Sequence, residues 1–202
     1  MHTVPVGSLE RLLETLEHRR PAAAAHSRRV AVFARHLGAL IGLPTDEMAT
    51  LVQAALVHEA GALVGRPEKA TDLPGFQTWC GLSDDVDDVL WYGTRRFEDH
   101  RHAPLGARLL AVAHAFDELT TAREYHVPLS PESARMAIAR QAGRRFCPVA
   151  VNALVAGRLE QFRGGLDVRE DLSQPDAPAR IDAERLAKGS QLAIDYRFVT
   201  IS

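Results

Sequence analysis

Residues 26–63 read HSRRVAVFARHLGALIGLPTDEMATLVQAALVHEAGAL, and they decide the fold. Val30, Phe33, Leu37 and Leu40 recur at steps of three and four, the spacing of one face of an α-helix. Four residues before Val30, the same face holds His26. The helix breaks near Gly42-Leu43-Pro44. Thr45 then reads as a cap, with Asp46 and Glu47 in the first turn, where carboxylates suit the helix dipole. A second face follows through Met48, Leu51, Val52 and Ala55, and steps of three and four from Ala55 reach His58 and Glu59. An imidazole and a carboxylate thus close a face that should point into a core. An unpaired buried carboxylate is costly, so such groups are normally paired, hydrogen-bonded or bound to metal. Further on, Leu110, His114 and Asp117 share a line on a third helical stretch. Three helices therefore each aim a metal-capable side chain inward.

The chain has 202 residues, 46% hydrophobic, with a formal net charge of −2. This fits one large domain with or without a short appendage. The charge gives no electrostatic reason to expect DNA or RNA binding. The Arg pairs at 19–20, 28–29, 95–96 and 144–145 read as solvated helix ends. Cys80 and Cys147 lie far apart and read as reduced thiols of an intracellular protein. The N-terminal stretch lacks the apolar run of a signal peptide, and the longest apolar stretches are interrupted by charge or His. The expectation is a cytoplasmic chain with no membrane segment.

The remaining pattern is helical. Ser8 reads as the cap of a helix from Leu9 to about Arg19, which Pro21 ends. Residues 64–82 carry Gly65, Pro67, Pro74, Gly75 and Gly81 and read as an irregular loop. Ser83 caps a short helix. Pro104 sits at the start of another, which Leu105, Leu109, Val112, Phe116 and Leu119 carry to about Thr121. Ser130-Pro131-Glu132 opens one more, and Pro148 the last, to near Gly164-Gly165. The fold class is all-α, a bundle of about seven helices. Three parts are expected: an N-terminal helix at 1–20, a helical domain at 21–164, and a polar linker with a β-like tail at 165–202. In the tail Leu192, Ile194, Tyr196, Phe198 and Thr200 alternate like a half-buried strand. An unpaired strand tends to recruit a partner, so a homo-oligomer is expected, with the tail or the first helix at its interface.

Three ordered blocks resemble a known family. Residues 26–63 are similar to the opening of HD-GYP domains, a branch of the HD metal-dependent phosphohydrolases, with their His-Ser-x-Arg-Val-Ala start and His-Asp helix end. ARLLAVAHAFDELTTAREY (107–125) resembles the family's Val-Ala-Asp-Ala-Phe-Asp-Ala-Leu-Thr segment. SPESARMAIARQAGRRFCPVAVNAL (130–154) resembles its last two helices. The resemblance covers roughly residues 22–162. It implies an HD-type bundle, two or three metal ions, and hydrolysis of cyclic di-GMP.

Carried over position by position, the resemblance assigns ligand roles to His26, to His58 and Glu59 (the latter for the family's Asp), and to His114 in place of an Asp. The family's phosphate-binding Lys falls on Ala62, its His-His pair on Trp91 and Tyr92, and its Gly-Tyr-Pro signature is missing. The four remaining positions suit one divalent ion of zinc, iron or manganese. The alternative is a hydrogen-bonded relic cluster with no metal. Asp117 or Glu118, three and four residues after His114, is placed to orient its ring, and Asp117 reads first as a structural acid. His100 and His102 read as solvated, or as stand-ins for the family's loop histidines. The aspartates at 84, 85, 87 and 88 read as charge at a helix N-terminus. The expected function is a degenerate, non-hydrolytic signalling module that acts through a protein partner or senses a ligand such as a cyclic dinucleotide. The alternative is a metal-dependent phosphohydrolase with an altered site.

Overall fold

The computed structural model describes residues 7–60, 82–122 and 127–157. The tail strand at 191–200, Cys80, Ala62 and the helix end near Gly164 lie outside them. Seven α-helices occupy the described residues: α1 (Gly7–Arg19), α2 (Pro21–Leu40), α3 (Thr45–Val57), α4 (Asp84–Gly93), α5 (Leu105–Thr120), α6 (Pro131–Ala139) and α7 (Pro148–Ala156). No strand is present among those residues, so the expected all-α bundle is observed.

Helix starts follow the expected chemistry in part. The Ser83 hydroxyl accepts from the Val86 amide at 3.4 Å, and the Ser130 hydroxyl accepts from the Ser133 amide at 3.1 Å. Pro21, Pro131 and Pro148 occupy first helical positions, where a missing N–H costs nothing. Pro21 therefore begins α2 as well as ending α1. Thr45 departs from expectation: it is the first helical residue, and Pro44 precedes it with no side-chain cap. Ser8 likewise lies inside α1. Helix α2 ends at Leu40 and turns through Gly42 at φ 70°, a conformation glycine adopts without a Cβ clash. The turn brings α2 and α3 so close that a Cβ on Gly38 would sit 2.7 Å from the Met48 methyl.

Helix α5 is the central element and packs against α2, α3, α4, α6 and α7. Its Leu109, Val112, Ala113 and Phe116 are almost fully buried, and the Phe116 ring meets Phe33 edge-on at 5.1 Å. Gly106 likewise closes the gap to α4, where a Cβ would lie 3.3 Å from Val89 Cγ2. Leu12 and Leu16 of α1 are buried by the chain's own helices. The apolar face of α1 that was expected to be available to a neighbour is therefore occupied at those positions.

Candidate metal centre

Three helices deliver the site. His26 lies in the second turn of α2, His58 caps the C-terminus of α3 in helical conformation with Glu59 next to it, and His114 sits in the second half of α5. Their rings converge, with centroids 5.0 Å apart for His26–His58 and His26–His114, and 5.2 Å for His58–His114. One ligand atom from each of His26, His58, Glu59 and His114 lies within 4.8 Å of the others. His26 is buried and the other three are half-buried, so the cluster opens to solvent on one side.

Hydrogen bonds set the tautomers. His26 Nδ1 lies 2.6 Å from Asp117 Oδ2, and His58 Nδ1 lies 2.6 Å from the Ala55 carbonyl. Carboxylate and carbonyl oxygens only accept, so both Nδ1 atoms donate. Each Nε2 then carries a lone pair, and the two Nε2 atoms face each other at 3.2 Å. Two lone pairs at that distance repel unless a cation, a proton or a metal ion, lies between them. The spacing also suits an ion. Two ligands ~2.1 Å from a tetrahedral metal stand roughly 3.4 Å apart. Glu59 Oε1 is 3.6 Å from His58 Nε2 and 3.8 Å from His26 Nε2. The donor set fits one divalent ion of borderline character.

Behind the ligands, Asp117 is buried and saturated. Its Oδ1 accepts from Arg29 Nε at 2.6 Å and from the Thr121 hydroxyl at 3.2 Å, and its Oδ2 accepts from His26 and from Arg29 Nη2 at 3.0 Å. A carboxylate offers about four lone-pair sites, and all are taken. Asp117 therefore orients His26, not His114 as its sequence proximity had suggested. His114 Nδ1 faces Glu118 at 3.4 Å, one turn along α5. Burial pushes the Asp117 carboxyl up, but the hydrogen bonds from His26 and Arg29, with the charge of Arg29, outweigh it and hold it at about 2. His58 is pushed down to about 4, first by burial and then by the neighbouring His114 and His26. Neutral His58 is the ligand form.

Arg29, which the sequence presents with Arg28 as a solvated helix end, instead bonds the buried Asp117. Its signal was present: Asp117 lies on an apolar face and needs a cation, and Arg29 is three residues after His26 on the same face. Arg28 points elsewhere, to Glu17 of α1. His100 and His102 do not join the cluster. They form an aromatic group with Trp91 and Tyr92, and His102 Nε2 lies 3.0 Å from the Tyr92 hydroxyl. Asp84, Asp85 and Asp87 sit in the first turn of α4.

The fold and the site define an all-α bundle with a three-His, one-carboxylate cluster. No family model matches the sequence. Among curated proteins the chain is similar to the 3'3'-cGAMP-specific phosphodiesterase 2 of Vibrio cholerae, 27% identical over 173 residues, 71% of this chain and 33% of that protein. It is also similar to the cyclic di-GMP phosphodiesterase response regulator RpfG of Xanthomonas campestris pv. campestris, 27% identical over 187 residues, 78% of this chain and 50% of that protein. The chain thus spans a third to a half of the length of these relatives. Among the described residues, no helix is long and apolar enough to cross a membrane.

Proposed function

We propose that this chain is an HD-GYP-like domain of cyclic-dinucleotide signalling that holds one divalent transition metal ion at His26, His58, Glu59 and His114 and acts as a regulatory module. The observation that carries the metal is the pair of Nε2 lone pairs facing each other at 3.2 Å, with a carboxylate oxygen at a matching distance from both. When bound, such an ion supplies Lewis acidity toward a phosphoryl oxygen and toward water. The chain's own residues do the positioning. Asp117, held by Arg29, keeps Nδ1 of His26 protonated and its Nε2 inward. The Ala55 carbonyl does the same for His58. Glu118 faces the Nδ1 side of His114.

The regulatory reading rests on what the site asks of its ligands. Phosphodiester hydrolysis of the two-metal kind needs a second ligand set and a cation for the developing charge. His114 stands where the family carries a carboxylate, Ala62 where it carries a Lys, and Trp91 and Tyr92 where it carries two His. Trp91 and Tyr92 pack with each other and with His100, and Trp91 lies under Arg95. A cyclic dinucleotide or a signalling protein is the ligand this reading favours.

The second reading, a metal-dependent cyclic-dinucleotide phosphodiesterase, is favoured by the two relatives, one named a 3'3'-cGAMP-specific and the other a cyclic di-GMP phosphodiesterase. One experiment tests both. Purified protein is analysed for metal, then incubated with cyclic di-GMP or 3'3'-cGAMP plus manganese or ferrous iron, and the products are chromatographed. Near one metal per chain without a linear product supports the regulatory module. Metal-dependent linear product establishes the enzyme, and absence of metal overturns the site.

A further inference from the structure

Arg95, Arg96 and Arg145, which the sequence presents as solvated helix ends, converge with Arg108 on one feature. Arg95, Arg96, Arg108 and Arg145 line a shallow, open depression, about 260 Å³ with the open solvent above it included, between the end of α4, the start of α5 and the turn before α7, with Phe97 and Cys147 in its wall. Its enclosed part is about the size of one water. Four guanidiniums at one depression repel one another, and a protein of net charge −2 has carboxylates available to relieve this. Among the described residues, Arg96 takes one, from Glu98 at the rim. Among the described residues, Arg95 instead lies over the Trp91 ring at 3.7 Å, Arg145 lies over Phe146 at 5.1 Å, and Arg108 donates to the Arg101 carbonyl at 2.6 Å. The Nε atoms of Arg95 and Arg108 are buried and lack a hydrogen-bond acceptor. A buried charged donor without an acceptor is costly, so among the described residues these two donors still call for an acceptor.

The depression is also pre-formed. The Phe97 amide donates to the Arg145 carbonyl at 3.1 Å, and the Glu98 amide donates to the Arg144 carbonyl at 2.9 Å, pinning its two walls together. Guanidinium forks match phosphate oxygens two at a time, and apolar surroundings strengthen that interaction. We propose that this depression binds the phosphate group of a small phosphate monoester, with Arg95, Arg108 and Arg145 as its donors. The site is separate from the His26–His58–Glu59–His114 cluster and does not depend on metal there.

The test uses the full chain in chelator at constant ionic strength, so that phosphate is not read at a metal. Inorganic phosphate, ribose 5-phosphate and adenosine monophosphate are titrated by calorimetry, to separate a bare oxyanion from an organic monoester. Saturable binding with a Kd at or below about 1 mM for at least one monoester is expected, a modest demand on so small a ligand. Arg95→Gln with Arg145→Gln, both partly exposed positions, should weaken it at least about tenfold. If the double variant unfolds, the parent decides: the Arg side-chain Nε–H resonances of Arg95 and Arg108 should shift on phosphate addition. No saturation, equal affinity in a folded double variant, or unmoved Nε–H signals would overturn the proposal. Binding of inorganic phosphate without either monoester overturns the assigned ligand class.

Discussion

Replacing Asp117 with Asn tests the support of the site more sharply than replacing a ligand. The side chain is 1% exposed and accepts four hydrogen bonds, two of them from Arg29. Asn keeps the size but puts an NH₂ where an acceptor is required, so one Arg29 donor meets another donor. A carboxyl held at about 2 instead of its ordinary 3.8 is worth about 2–3 kcal/mol. Breaking a fully buried ion pair from one side costs about 3–5 kcal/mol, but Arg29 is 26% exposed and water partly replaces its partner. The expected loss is therefore ~2–3 kcal/mol, which is about 4–12 °C in Tm for a chain of this size. The acid response gives an independent signature. Because the native pKa lies below the unfolded one, the stabilisation is full above about pH 4 and is lost as pH falls toward 2. Urea unfolding in chelator, followed by circular dichroism at pH 7 and at pH 3, measures both quantities. A variant within about 1 kcal/mol of the parent at pH 7, or an equal acid loss in the two proteins, would refute the reasoning.

Other outcomes follow from the same geometry. In metal-free protein, neutral His58 makes stability fall as pH drops from 6.5 to about 4, by roughly 3 kcal/mol, and His58→Gln should flatten that slope in a pH series of urea unfolding. Zinc or manganese at a hundredfold excess over its Kd should stabilise the parent by about 2.7 kcal/mol, read as a Tm rise that His26→Ala abolishes. Phe116→Ala should cost ~3–5 kcal/mol through the cavity left against Phe33 while leaving the site residues unchanged in identity, so its Tm falls and high metal partly restores it. Light scattering should find a dimer for the full chain and a monomer for a version ending near Gly164, because the alternation in the tail at 191–200 is what calls for a partner strand.

The helices were legible because their apolar residues recur at helical steps, and the same steps placed His26, His58, Glu59 and His114 on inward faces. Periodicity reports which way a side chain points along its own helix. It does not report what stands opposite. For that reason the spacing leaves Asp117 and Glu118 as alternatives behind His114 and does not show that Asp117, the structural acid, has its partners His26 and Arg29 across the interface with α2. The same limit hid the arginine depression: Arg95, Arg108 and Arg145 are far apart in sequence, and each alone resembles an ordinary surface charge. Thr45 failed as a cap for a local reason, since α3 starts one residue earlier than capping chemistry suggests and Thr45 falls inside it.

The candidate ligands His26, His58, Glu59 and His114 come from three segments well separated along the chain, so an ion shared among them would be a cross-link between α2, α3 and α5. Binding energy spent on that cross-link is folding energy, and it disappears from the native state when the ion is withdrawn. A cell short of the metal would then hold more of the opened chain, and proteases act on that form. The amount of this protein would then follow metal supply.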